Sequence, residues 1–238
     1  MTIAFITGTS KGLGKALAEL LLEDNNVKVV GISRHQSIQH PNYKHLILDF
    51  SDIKTVELFK FPEGEYDKYV LINNAGVIEP IAHLGHEFAT DLVRNYNVNL
   101  ISPSILINMF MRQFSKLEKP MHIINVSSGA GKYPIDGWST YNASKAGLDL
   151  FSLALKEEVK IDGKENINVH SIAPGIVKTE MQETIRNSKL ENFSNLDKFT
   201  NYYENDLLTS PEDVALKFKK VIDNPEKFPD VVIDVRNF

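Results

Sequence analysis

Cysteine is absent from the 238-residue chain. That absence excludes a disulfide framework, a thiolate zinc site and a cysteine nucleophile together, and it fits a reducing compartment. Long apolar runs are missing as well: no stretch supplies about 18 uncharged apolar residues, and Lys11, Lys15 and Glu19 break the N-terminal segment that a secretory leader would need intact. A cytoplasmic protein with no membrane partner is expected. Basic residues neither dominate nor cluster, with 26 Lys and Arg against 31 Asp and Glu for a net charge of −5, so no nucleic-acid partner is expected. There is no internal repeat, low-complexity tract or Pro/Gly-rich linker. With 42% hydrophobic and 24% charged residues the composition is that of an ordinary globular protein, and the length suits one large α/β domain over residues 1–238.

What the chain does contain is a rhythm. Short apolar runs at residues 3–7, 27–32, 45–49, 69–73, 122–127, 167–173 and 231–235 alternate with longer segments of helical period. The runs are unbroken, as in strands covered by helices on both faces, so they predict a doubly wound, mostly parallel sheet of about seven strands flanked by helices. Long helices are predicted over 97–114 and 141–159, the second stopping near Gly163. Residues 180–205 change texture: polar and Asn-rich, yet carrying Ile185, Leu190, Phe193, Leu196, Phe199, Tyr202 and Tyr203. They read as a substrate lid, with a pair of ordinary surface helices as the alternative.

The first strand runs straight into Gly8-Thr9-Ser10-Lys11-Gly12-Leu13-Gly14 and a helix, so backbone N–H groups at a helix N-terminus can approach an anionic phosphate. The loop is not of the nucleotide-hydrolysing type, because Gly14-Lys15 comes one residue late and Ala16 stands where a metal-binding Ser or Thr is required. A merely tight strand-to-helix turn is the plain alternative. After the second strand, where NAD-binding folds put an Asp or Glu on the ribose 2′-hydroxyl, the chain has Ser33-Arg34-His35. Arg34 and Lys11 can pair with a 2′-phosphate instead, each charge-assisted bond contributing roughly 1.5–3 kcal/mol, so NADP is the expected cofactor. The plain alternative for Arg34 is a solvated surface arginine.

Tyr141 and Lys145 stand four apart in a predicted helix, hence on one face. One cation at ~4 Å and an effective dielectric of ~20 contributes about 4 kcal/mol, roughly three pKa units, so Lys145 is expected to lower the Tyr141 pKa and make the phenol a usable proton donor. The same pairing also arises by chance on soluble helices. Ser128 ends one strand, Asn73-Asn74-Ala75-Gly76 ends another and Pro174-Gly175 follows a third. Carboxyl ends of strands are where open α/β sheets bind ligands, although a serine there also caps local backbone. Among seven histidines only His83 and His86 have helix-compatible ligand spacing, and they fall in a polar loop, so no metal site is expected.

Taken jointly, Thr7-Gly8-xxx-Gly12-x-Gly14, Asn73-Asn74-Ala75-Gly76, Asn99, Ser128, Tyr141-xxx-Lys145 and Pro174-Gly175-xxx-Thr179 resemble the short-chain dehydrogenase/reductase family over essentially the whole chain, with Tyr141 following Ser128 by 13 positions. Ser128-Gly129-Ala130-Gly131-Lys132, Gly137-Trp138 and the tail from Thr179-Glu180-Met181-Gln182 to Val231-Val232-Ile233-Asp234 are similar to its sepiapterin reductase and benzil reductase branch. The resemblance implies a single-domain Rossmann fold and NADPH-dependent carbonyl reduction. On it, Tyr141 would protonate the carbonyl oxygen, Ser128 would hydrogen-bond that oxygen, and Lys145 would hold the nicotinamide ribose. Asn99 would kink its helix and anchor a water relaying protons to Lys145. Gly8, Ser10, Lys11, Gly12 and Leu13 would line the phosphates, with Lys11 and Arg34 as the NADP-selecting pair. Asp49 would bind the adenine amino group, Asn73, Ala75 and Gly76 the adenosine side, and Pro174, Gly175, Val177 and Thr179 the carboxamide side.

The expected substrate is a compact vicinal dicarbonyl, an aromatic 1,2-diketone or a pteridine with a diketone-like side chain, reduced at one carbonyl. Trp138, Tyr133 and the aromatics of residues 180–205 would supply flat apolar walls. Asp234 stands where the sepiapterin branch anchors its pterin, with a solvated end-of-strand carboxylate as the alternative. A 3-oxoacyl-thioester reductase would call for a basic docking surface, where the chain has only scattered Arg94 and Arg112. A non-catalytic NADP-binding regulator of this family would usually lack the tyrosine or the lysine. The resemblance also implies a homo-oligomer, dimer or tetramer, built on the two long helices, although an apolar helix face follows equally from core burial.

Overall fold

A computed structural model describes all 238 residues. Seven strands, β1 (Thr2–Thr7), β2 (Val27–Ser33), β3 (Tyr43–Ile47), β4 (Lys68–Asn73), β5 (Met121–Val126), β6 (Ile167–Ala173) and β7 (Val232–Asp234), form one sheet. Their order is β3-β2-β1-β4-β5-β6-β7, with every neighbouring pair parallel. The chain steps outward from β1 to β3, then returns across β1 to lay down β4 to β7 on the other side. The connections after β1 and β4 therefore part around a crevice, the place where such sheets bind ligands. Helices α1 (Gly12–Leu22), α2 (Ile53–Glu57), α3 (Ala89–Tyr96), α4 (Ser102–Phe114), α5 (Ser139–Ile161), α6 (Glu180–Arg186), α7 (Leu196–Glu204) and α8 (Pro211–Asp223) fill the connections.

The two-residue period of β1 feeds two cores. Ala4 and Ile6 pack with Leu17 and Leu21 of α1 and Val214 and Phe218 of α8, while Ile3 and Phe5 pack with Phe110 and Phe114 of α4 and Leu155 and Val159 of α5. Both faces are covered, which makes the sheet a fixed platform for whatever its strand ends carry. A smaller third cluster, Ile78, Ala130, Trp138, Tyr141, Ile185 and Phe193, gathers side chains from the loops after β4 and β5, α5 and the segment of α6 and α7.

Departures from the sequence pattern have local causes. The third strand lies at 43–47 rather than 45–49, because its ladder with β2 ends at Ile47 while Leu48 and Phe50 stay buried beyond it. The helix expected over 97–114 is α4 preceded by a wide π turn, Asn97–Ile101, in which the N–H of Ser102 reaches back to the Asn97 carbonyl. Pro103 explains the widening: it has no N–H for the Asn99 carbonyl, and its ring would crowd that carbonyl in a regular helix. α5 extends beyond 141–159 at both ends and stops at Gly163, whose φ of +65° lets the Gly163 and Lys164 N–H groups bond the Lys160 and Val159 carbonyls at 3.1 and 3.0 Å. Residues 180–205 form α6, a tight turn and α7, with Phe193 wholly buried between them. No helix is long and apolar enough to cross a membrane.

Candidate active site

The glycine turn after β1 is shaped by close approach. Gly8 has φ +74°, and a Cβ on it would come within 3.0 Å of Ala75 Cα. Thr7 Oγ1 accepts from the N–H groups of Asn74 and Ala75, both at 2.9 Å, and Asn74 Nδ2 donates to the Thr7 carbonyl at 2.9 Å. The ends of β1 and β4 are thus bound together beneath the crevice. α1 starts without a side-chain cap and without an acidic residue in its first turn, so its leading N–H groups and the positive end of its dipole are available to an anion.

A cleft of about 1260 Å³ runs along the carboxyl edge of the sheet. That exceeds the roughly 300–1,000 Å³ of a single-ligand pocket and leaves room for a dinucleotide and a second small molecule. Gly8, Ser10, Lys11, Gly12, Leu13, Arg34, Asp49, Ala75 and Gly76 line it, together with Ser128, Trp138, Tyr141, Lys145, Pro174, Gly175, Val177 and Thr179. Two expected contacts are elsewhere. Asn73 is buried with its Nδ2 donating to Asn125 Oδ1 at 2.9 Å, and its neighbour Asn74 faces the cleft instead. Asp234 is also off the cleft: its carboxylate accepts from Arg236 Nε at 2.9 Å and Nη2 at 2.6 Å, and Arg236 is the one that lines the cleft. The short 3₁₀ turn after β7 (Val235–Asn237) folds the Arg236 side chain back onto Asp234, a reversal that strand alternation alone does not reveal.

The residues expected to react converge on α5. Tyr141 and Lys145 are buried, and Lys145 Nζ lies 5.8 Å from the Tyr141 ring centroid while donating to the Val126 carbonyl at 2.8 Å. Asn99 sits in the π turn with its Nδ2 donating to the Val77 carbonyl at 2.8 Å and its Oδ1 accepting from the Val77 N–H at 2.9 Å. A Cβ on Gly76 would lie 3.3 Å from Asn99 Oδ1 and 3.7 Å from Lys145 Nζ, so both groups reach the turn after β4. Ser128 lies two residues beyond β5 in an extended conformation, with its hydroxyl accepting from the Ala130 N–H at 3.2 Å.

The electrostatics correct one expectation. The net shift of Tyr141 is upward, not downward: burial pushes the phenol up, and the Ser128 hydroxyl opposes the rise. Lys145 itself is lowered to about 8 by burial, with Asp149 working against the fall. At the far end, burial pushes Asp49 up, but hydrogen bonds from Ser51 and the charges of Arg34 and Arg94 outweigh it and hold the carboxyl below its ordinary value. Arg94, from α3, is thereby a cleft residue that the sequence left scattered. Lys11 forms an ion pair with Glu180 at the start of α6, joining the glycine turn to the 180–205 segment. Both side chains are largely exposed, so the pair is a weak tie.

Trp138 is buried just before Tyr141. Its ring meets the Tyr141 ring edge-on at 5.8 Å, stacks on Phe193 at 5.0 Å with an interplanar angle of 9°, and contacts Phe199 at 5.3 Å. Tyr133 lines the same end and is exposed. His83 hydrogen-bonds Asp136 at 3.4 Å, and no group of three or more His, Asp or Glu forms a metal-binding arrangement.

Comparison with known proteins agrees with this geometry. The family model for short chain dehydrogenase matches residues 2–190. A benzil reductase ((S)-benzoin forming) of Bacillus cereus is 33% identical over 243 residues, covering 96% of each chain. The protein of the same name from Bacillus subtilis (strain 168) is 34% identical over 222 residues, covering 90% of each. Among solved structures, the KRED1-Pglu enzyme superposes with a TM-score of 0.77 at 30% identity, covering 93% of this chain and 94% of that one.

Proposed function

This chain belongs to the short-chain dehydrogenase/reductase family of oxidoreductases, acting on CH–OH and C=O groups, and from that premise we propose that it is an NADPH-dependent reductase of compact vicinal dicarbonyls. One carbonyl of a benzil-like diketone is reduced and a hydroxyketone is released. The observation that carries this reading is the aromatic wall beside the proton donor: Trp138, which lines the cleft, is stacked on Phe193 and edge-on to Tyr141. A flat rigid wall favours a planar aromatic ketone over a flexible acyl chain. The benzil reductase names of the two Bacillus relatives support the same substrate class. Asp234, already held by Arg236, gives no support to the pteridine version.

The residues present fit a nicotinamide dinucleotide. The uncapped α1 N-terminus and the crowded Gly8 turn suit a pyrophosphate, Asp49 suits an adenine amino group, and Arg34 at the lip, with Arg94 near Asp49, suits a 2′-phosphate. Bound there, the reduced nicotinamide supplies the hydride for the carbonyl carbon. The chain's part is the proton and the geometry. Tyr141 Oη gives its proton to the carbonyl oxygen, and Ser128 donates a hydrogen bond to the same oxygen, so that negative charge on it is met as it develops. A phenol raised by burial is fully protonated at neutral pH, which is the form a reductase needs at the start of turnover. Lys145, as an ammonium, stabilises the phenolate left behind, and Asn99 fixes the loop through Val77 on which that arrangement rests. Helices α6 and α7 act as a lid over the substrate end through Met181, Ile185 and Phe199.

The test is cofactor oxidation against a panel of free diketones, a pteridine diketone and an acyl thioester, each with NADPH and NADH. The expected order is diketone over pteridine over thioester, with NADPH preferred. Faster reduction of the thioester than of any dicarbonyl would overturn the substrate class.

A further inference from the structure

One ionisable side chain close to the reacting groups has no part in the chemistry above. Among all Lys, Arg, Asp and Glu, only Lys145 and Asp149 are buried, at 4% and 8% exposure. They stand one turn apart on the same face of α5. Asp149 Oδ1 accepts a 2.6 Å hydrogen bond from the Ser171 hydroxyl on β6. Its Oδ2 lies 2.9 Å from where a Cβ on Gly131 would be, in the turn that carries Ser128, so the carboxylate occupies the space a side chain there would fill. The groups that face Lys145 from the surrounding elements are neutral: Gly76 after β4, Asn99 in the π turn and the Val126 carbonyl on β5. From α5 itself come Tyr141 and Asp149.

A buried charge is costly unless an opposite charge or hydrogen-bond donors compensate it, and the chain buries one of each sign one helical turn apart on α5. We propose that Asp149 is a positioning residue for the reduction: its buried negative charge keeps Lys145 as an ammonium ion beside Tyr141. Burial lowers Lys145 to about 8, and Asp149 is the charge that opposes a further fall. Without it, Lys145 would lose its proton within the neutral range, and the phenolate formed in turnover would lose its counter-charge.

The direct test is the Lys145 titration in cofactor-free protein labelled with ¹³C at the lysine ε carbons, the resonance being assigned by its loss in Lys145→Met. Asp149→Asn keeps an acceptor for Ser171 but removes the charge, and it should lower the midpoint by about one pH unit or more. Ser171→Ala removes the hydrogen bond but keeps the charge, and the midpoint should move by only a few tenths of a unit. In turnover of a diketone, Asp149→Asn should lose about fivefold more kcat at pH 8 than at pH 6, a pH-dependent loss that a merely structural role would not give. An unchanged Lys145 midpoint in Asp149→Asn, or a loss of kcat equal at every pH, overturns the proposal. If Asp149→Asn does not fold, Asp149→Glu decides: a midpoint near the wild-type value supports the proposal, and one lowered by about a unit overturns it. The proposal rests on the reduction above for its kinetic consequence alone; a chain that reduces no dicarbonyl refutes that reading, while the titration stands independently.

Discussion

Acidification is expected to weaken the fold through a pair of buried histidines that do not line the cleft. His122 on β5 and His170 on β6 are 0% and 3% exposed, with His122 Nε2 and His170 Nδ1 2.7 Å apart and His170 Nε2 2.8 Å from the Phe228 carbonyl. Because a carbonyl only accepts, His170 donates from Nε2, which makes its Nδ1 the acceptor and His122 Nε2 the donor. Burial, then the charges of His170, Lys68 and Lys156, hold His122 well below its ordinary value, and burial also lowers His170. Both rings are neutral in the fold, whereas in the unfolded chain they take up protons near pH 6.5. Unfolding therefore binds protons below that pH, and stability falls as pH drops. From pH 7.5 to 5.5 a histidine that stays neutral throughout removes about 1.4 kcal/mol, so the pair removes between about 1.4 and about 2.7 kcal/mol. Urea unfolding at the two pH values reads the loss. His122→Asn, which still donates to His170, should reduce it by about 1.4 kcal/mol; His45, also lowered by burial, contributes to both proteins and cancels in the difference. Equal stability of the wild-type protein at the two pH values, or an undiminished loss in the variant, would refute the reasoning.

Tyr141→Phe should lose at least about 10²-fold in kcat with NADPH affinity nearly unchanged, since it removes the proton and little else; steady-state kinetics with a fluorescence titration check both halves. Arg34→Ala should weaken NADPH binding by about 1.5–3 kcal/mol and leave NADH binding almost untouched, measured by isothermal titration. Asp234→Asn should change KM for a diketone and for a pteridine by the same small factor, because its carboxylate faces Arg236 and not the cleft; a rise confined to the pteridine would return Asp234 to the substrate site.

Most of the fold and much of the site were legible because their signals are local. Unbroken apolar runs gave the strands, and Gly8, Gly12, Ser128, Tyr141 and Lys145 lie at strand ends or one helical turn apart, where spacing translates directly into position. The sequence was silent where distant segments meet. Asn73 and Asn74 are adjacent, and only the tie from Thr7 to the Asn74 and Ala75 N–H groups decides which of them faces the cleft. The expected fall in the Tyr141 pKa counted the nearby cation and left out the cost of burying the phenolate, and burial sets the net direction upward. The Lys11–Glu180 pair, Arg94 beside Asp49 and the burial of Asp149 likewise depend on packing that no periodicity encodes.

The most direct measurement is product analysis of a single diketone. Benzil is incubated with the enzyme and excess NADPH, and the products are separated on a chiral column while cofactor oxidation is followed at the same time. Tyr141 and Ser128 engage one carbonyl at a time, so benzoin enriched in one enantiomer should accumulate with one NADPH oxidised per benzil consumed. No benzoin, or racemic benzoin formed equally well by Tyr141→Phe, would contradict the assignment of this cleft as a carbonyl-reducing site.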